Sequence, residues 1–163
     1  RKVLLRGNHD FWWSSISRVR KALQEGMYAL QNDALLFGRV LVLGARGWLC
    51  PGSAPLEEDD RRIYERELLR LELSLKDGER KLKGRTGPVW RVAMLHYPPF
   101  ADKSLSTEVT ALLSRYGVSD AVYGHLHGPG LSGAFSGEFC GVRYHQVSCD
   151  GLGFRLFQLP EPA

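Results

Sequence analysis

Five residues at three separated places have the type and spacing of a metal site: Asn8 and His9 in Gly7-Asn8-His9-Asp10, His96 before Tyr97-Pro98-Pro99, and His125 and His127 in Gly124-His125-Leu126-His127-Gly128. Imidazole nitrogens and an amide oxygen are donors that divalent transition metals accept. Two such ions about 3.5 to 4 Å apart can clamp a phosphate ester, lower the pKa of a bridging water and stabilise charge on the attacking and leaving oxygens. Asn8, His96, His125 and His127 are all neutral ligands, and no bridging carboxylate is evident downstream of Asn8. Two dications would be poorly compensated by that set, so a complete site needs acidic ligands from elsewhere.

Each candidate also has a plain structural reading. Asn and Asp suit an ordinary strand-to-helix turn, a lone His96 suits a hydrogen-bonded core or loop position, and His-x-His between glycines suits a hairpin. Their joint occurrence favours ligation. Arg46, in Arg46-Gly47-Trp48, offers a fixed guanidinium fork for a substrate phosphate, or else an internal ion pair with an acid such as Asp10 or Glu57. His145 alternates with Tyr144 in a strand and belongs to no motif, so it reads as structural.

The elements that must position these residues follow from periodicity. A β-prone run over Lys2–Leu5 stops at Gly7, and Ser14 or Ser15 can cap a helix with Ile16, Val19, Ala22 and Leu23 on one face, closed by Gly26. Trp12 and Trp13 open that helix, one packing on the core and the other beside the crevice. Short strands are expected over 27–30, 34–37 and 40–44, followed by the turn-rich stretch Pro51-Gly52-Ser53-Ala54-Pro55. Tyr64, Leu68, Leu71 and Leu75 then recur at helical spacing after an acidic start, and Asp77-Gly78 is expected to end that helix ahead of a polar linker over 76–85. A strand over 89–95 delivers His96. A helix capped by Ser106 or Thr107 ends at Gly117, and a strand over 121–123 delivers the His-x-His pair. Two antiparallel strands, 141–149 and 154–159, are expected around Asp150-Gly151. Strands that present ligands at their carboxyl ends bring them to one crevice. The glycines flanking His125-x-His127 permit the bend that turns both rings the same way.

With 163 residues and 44% apolar content, the chain has material for one domain spanning 1–163. It begins at Arg1, with a strand running at once into the first motif, which leads us to expect a domain incomplete at its N-terminus. No run approaches the roughly 18 uncharged residues of a membrane span. Three cysteines show no CxxC spacing and no disulfide framework, which fits a reducing cytoplasm and small buried side chains. The formal charge of +4 is interspersed with acids rather than collected in a block, so nucleic acid is not indicated as a partner.

Arg6-Gly7-Asn8-His9-Asp10-Phe11-Trp12-Trp13, Arg46-Gly47-Trp48, His96-Tyr97-Pro98-Pro99 and Tyr123-Gly124-His125-Leu126-His127-Gly128 together resemble the last three motifs of the calcineurin-like metallophosphoesterases, in their bacterial branch of phosphohydrolases. The resemblance implies a layered α/β/β/α sandwich of mixed sheets flanked by helices. It implies that Asn8, His96 and His125 bind one metal and His127 the other, with His9 over the substrate and Asp10 orienting it. The family's two earlier motifs, Asp-x-His and Gly-Asp-x-x-(Asp/Glu), have no counterpart before Arg1. Two divalent ions (Mn2+, Fe2+ or Zn2+) are therefore expected in an intact protein, and at most one, weakly held, in this chain. The implied substrate is a small phosphate ester or a phosphoprotein, with the oligomeric state open. Two other readings stand beside it: a metal-binding or interaction module without catalysis, and a phosphodiesterase acting on nucleic acid.

Overall fold

The first motif rides on a small parallel sheet. β1 (Lys2–Leu5) pairs with β2 (Met27–Leu30) in parallel, and α1 (Ile16–Ala22) makes the crossover that parallel pairing requires. Ser15 caps α1, its Oγ accepting from the Arg18 main-chain N–H at 3.4 Å. Trp13, Val19 and Ala29 are buried between helix and sheet with Leu4, Ile16 and Leu23 packed around them. Of the two tryptophans, Trp13 is therefore the core residue and Trp12 is exposed. The computed structural model describes residues 1–52, 55–101 and 104–161, so Ser53 and Ala54 of the expected turn lie outside the described residues.

The second sheet carries the remaining motifs. β3 (Leu35–Phe37), β4 (Val40–Ala45), β5 (Trp90–Leu95), β6 (Asp120–Tyr123), β7 (Gly137–Phe139) and β8 (Val142–Gln146) lie in the order β3-β4-β5-β6-β8-β7. β4, β5, β6 and β8 run parallel to one another, with β3 and β7 as antiparallel edges. Strand alternation sends Leu41, Leu43, Ala93, Leu95, Ala121, Tyr123, Val142 and Tyr144 into the main core, which Leu71 and Leu75 of α2 (Glu58–Leu82) and Val109 and Leu113 of α3 (Glu108–Arg115) complete. The Tyr28 and Phe37 rings, 5.0 Å apart, join the small sheet to the large one. The architecture is mixed α/β, a six-stranded mixed sheet flanked by helices, as expected of a metallophosphoesterase-like fold. Among the described residues, no helix is long and apolar enough to cross a membrane.

Three expectations are corrected, two about the elements and one about the cysteines. α2 does not stop at Asp77-Gly78 and no linker follows; it continues to Leu82. Asp77 is held within the helix by Arg80 and Lys81 and accepts the Ala34 main-chain N–H at 2.9 Å. Gly78 faces the sheet where a Cβ would lie 3.1 Å from Leu41 Cδ2, so it is a packing glycine rather than a helix stop. Residues 154–159 form no strand; the hairpin is β7–β8 instead, turning at Cys140 and Gly141, both with positive φ as a two-residue primed turn requires. Finally, only Cys50 is buried, whereas Cys140 and Cys149 are exposed. A smaller shift concerns α1, which ends at Ala22 with Leu23 as its cap, while Gly26 supplies the positive φ that turns the chain into β2.

Candidate metal centre

The parallel strands of the large sheet end on one edge, from which the later motifs leave, and β1 of the small sheet brings the first motif to meet them. β1 runs into Gly7-Asn8, β4 into Arg46, β5 into His96, β6 into Gly124-His125, and β8 into Ser148-Cys149-Asp150. Hydrogen bonds continue the ladder past the strand ends. The Arg46 carbonyl accepts from the main-chain N–H groups of His96 (3.0 Å) and Tyr97 (2.9 Å), and the His96 carbonyl accepts from Gly124 at 3.2 Å. The loop tips thus inherit the register of the sheet.

Asn8, His96 and His125 come together. His96 Nε2 lies 2.7 Å from Asn8 Oδ1 and 3.2 Å from His125 Nδ1. Donors bound to one ion about 2.1 Å away sit roughly 3 Å from each other, so the spacing suits a shared cation. Gly7 makes room for this. A Cβ there would meet the His96 ring at 3.2 Å and Asp10 Oδ2 at 3.4 Å. His125 has φ +69 and is the centre of a three-residue turn closed by Leu126 N–H to the Gly124 carbonyl at 2.8 Å. The bend assigned to the flanking glycines therefore falls on the histidine itself, a strained conformation that aims its ring at His96. Tyr97 stacks on His125, ring centroids 4.0 Å apart and 31° between planes, and supports that orientation.

The electrostatics suit neutral imidazole ligands. Burial, reinforced by the neighbouring His125 and Arg46, pushes His96 down to about 4, and burial with nearby His127 and His9 lowers His125. Both shifts favour the neutral ring, the form that can ligate a metal. The donor set thus fits a divalent transition ion on the chemistry and spacing of its own atoms.

The other candidates are placed differently. His127 is exposed, and its Nδ1 lies 2.9 Å from Asp150 Oδ1 rather than against His125. His9 is exposed at the loop tip, its ring edge-on to Phe11 at 6.2 Å. Asp10 accepts the Gly7 main-chain N–H at 2.6 Å and the Trp12 indole N–H at 3.0 Å, so it braces the loop that presents His9. Arg46 forms an internal ion pair, but with Glu67 (3.2 Å) and not with Asp10 or Glu57, and its guanidinium lies over Trp48. Burial is the main influence lowering its pKa, ahead of the opposing Glu67 charge. His145 pairs with buried Asp120 at 2.9 Å, away from the ligand cluster.

Sequence reasoning misses two residues. Cys149 and Asp150 read as a buried hydrophobe and a turn, yet with His127 they form a group whose donor atoms lie within 4.8 Å of one another. A signal exists: they follow a parallel strand on the same edge, the logic that singles out His96 and His125. Asp150, whose carboxylate accepts Gly128 N–H at 2.8 Å, Gly151 N–H and His127, is held below its ordinary value by those bonds.

An amide oxygen and paired imidazoles, gathered at the carboxyl ends of strands in a mixed α/β fold, are a donor set that suits metal-dependent hydrolysis. The chain belongs to the calcineurin-like phosphoesterase family, whose pattern matches residues 1–129. That range includes Asn8, His96, His125 and His127, and the family assigns metal-dependent phosphoester hydrolysis as the general function. No curated protein and no solved structure gives a significant match.

Proposed function

We propose that this protein hydrolyses phosphate esters at a dinuclear centre in which Asn8, His96 and His125 hold one divalent ion and His127 contributes to the second. The observation that carries the reading is the convergence of Asn8 Oδ1, His96 Nε2 and His125 Nδ1, at 2.7 and 3.2 Å, from three loops far apart in sequence. When bound, the ions supply Lewis acidity and a nucleophile at neutral pH. The chain's own residues supply the rest. Tyr97 stacks on the His125 ring, and the Arg46 carbonyl holds the His96 main chain through its N–H. His9, at the tip of its loop, holds a proton on a ring nitrogen and gives it to the departing alcohol oxygen, while Asp10 positions it through the loop. The ion pair with Glu67 favours a structural role for Arg46, supporting the His96 loop, over direct contact with the substrate phosphate.

The four neutral ligands leave two dications short of negative charge, so anionic ligands must join them in the active centre. The proposed substrate is a small phosphate ester or a phosphoprotein; the charges in the first turns of α2 are paired among themselves, Glu58 with Arg61 and Arg62 and Glu65 with Arg61. The test is release of an aryl alcohol from an aryl phosphate with Mn2+. We expect turnover that EDTA and His96→Ala both abolish. Turnover that resists EDTA, or is equal in His96→Ala, contradicts the reading.

A further inference from the structure

We propose that His127, Cys149 and Asp150 form a cation site of their own, selective for a thiophilic divalent ion such as Zn2+. The three side chains bring an imidazole, a thiol and a carboxylate within 4.8 Å of one another, from two segments that no sequence motif connects. His127 Nδ1 and Asp150 Oδ1 are 2.9 Å apart, the separation of two ligands on one small ion. Cys149 is exposed and forms no disulfide, so its Sγ is available to an ion from solvent.

The scaffold beneath the cluster is tied by hydrogen bonds. Asp150 is fixed by the Gly128 N–H on Oδ2 (2.8 Å) and the Gly151 N–H on Oδ1 (3.0 Å). Its turn is tied by three main-chain bonds: Leu152 N–H to Ser148, Gly153 N–H to Asp150 and Phe154 N–H to Cys149, the last at 2.7 Å. Val147 N–H to the Tyr123 carbonyl, at 2.8 Å, ties this turn to the strand that delivers His125 and His127. Carboxylate and imidazole are therefore held in place before any ion arrives, which lowers the ordering cost of binding.

Charge and softness point to the ion. Binding deprotonates Cys149, its proton passing to solvent as the sulfur–metal bond forms. Thiolate, carboxylate and neutral imidazole then balance a dication completely. A thiolate donor favours Zn2+ or Co2+ over Mn2+ or Mg2+, and three protein ligands leave a fourth position open, as in catalytic rather than structural zinc sites. The inference builds on the phosphoesterase reading, which asks for a second ion at His127, and it supplies anionic donors that the neutral histidines lack.

The experiment is titration of the reduced 163-residue chain with Co2+, followed by the near-ultraviolet thiolate-to-cobalt charge-transfer band. We expect a saturable band that Cys149→Ser removes and Cys140→Ser leaves intact, with Co2+ affinity falling about tenfold or more in Asp150→Asn and His127→Gln. Circular dichroism establishes that each variant is folded. No band in the parent chain, or a band that survives Cys149→Ser, overturns the site. Mn2+-dependent hydrolysis in a chain that gives no Cys149-dependent band would sink this inference alone. The band in a chain that hydrolyses no phosphate ester would sink the phosphoesterase reading alone.

Discussion

Asn8 Oδ1 and His96 Nε2 lie 2.7 Å apart although 88 positions separate them in sequence. The two belong to different sheets, β1 delivering one and β5 the other, so their contact depends on how the two layers are stacked. Removing either donor should cost Mn2+ affinity more than the roughly 10- to 100-fold that loss of an outer-shell partner costs. We expect His96→Ala to lower Mn2+ affinity by about 100-fold or more in calorimetric titration, with the circular dichroism spectrum unchanged. Unchanged affinity would remove His96 from the ligand set.

Glu67 is 2% exposed and takes Arg46 and Arg70 at 3.2 and 2.8 Å. Its removal strands a mostly buried guanidinium, a change that typically costs about 3 to 5 kcal/mol. Urea denaturation of Glu67→Ala should show a loss of that order. A loss below about 1 kcal/mol, the range of an exposed pair, would mean that this ion pair does not brace the site.

Gly44 sits one residue before the end of β4 with φ +147, and a Cβ there would lie 1.9 Å from the Met94 carbonyl oxygen. The obstacle is main chain of the adjoining strand, which cannot swing aside as a side chain would. Gly44→Ala should therefore destabilise the protein by more than about 4 kcal/mol, or prevent folding, as read by thermal melting. A melting temperature within a few degrees of the parent would contradict the β4–β5 register.

Asp77 provides an acid-stability signature. Burial opposes its charge, but hydrogen bonds from Lys81, the Ala34 main-chain N–H and Arg80 outweigh burial and hold its pKa at about 2. The unfolded value is about 3.9, so the folded state binds fewer protons between the two. Its stabilisation is fully present above pH ~4 and is lost as the pH falls toward about 2. Asp77→Asn should be less stable than the parent at neutral pH, with the difference shrinking as the pH drops through that window. A difference independent of pH between about 5 and about 2 would show that the charge of Asp77 contributes nothing.

The strands and the loops they feed are legible in the sequence because alternation and punctuation are local: the Lys2–Leu5 strand ending at Gly7, the apolar run before His96, and the short run before Gly124 all appear where the periodicity puts them. What is illegible depends on partners. Gly78 reads as a stop until Leu41 and Leu43 are seen beneath it, and Asp77 reads as a breaker until Ala34 is seen to bond it. Likewise Arg46 gives no clue that its acid is Glu67, on a helix reached only after a long loop rather than beside it. Asp150 reads as a turn residue because a turn is what its backbone makes; only the approach of His127 shows what its carboxylate faces.

The central claim is that Asn8, His96 and His125 share one cation, and substoichiometric Mn2+ tests it most directly. With the chain labelled in nitrogen-15, paramagnetic broadening should erase the ring signals of His96 and His125 and the Asn8 side-chain amide first, while His145, paired with Asp120, persists. Broadening that spares His96 and His125, or that strikes His145 equally early, would contradict the account.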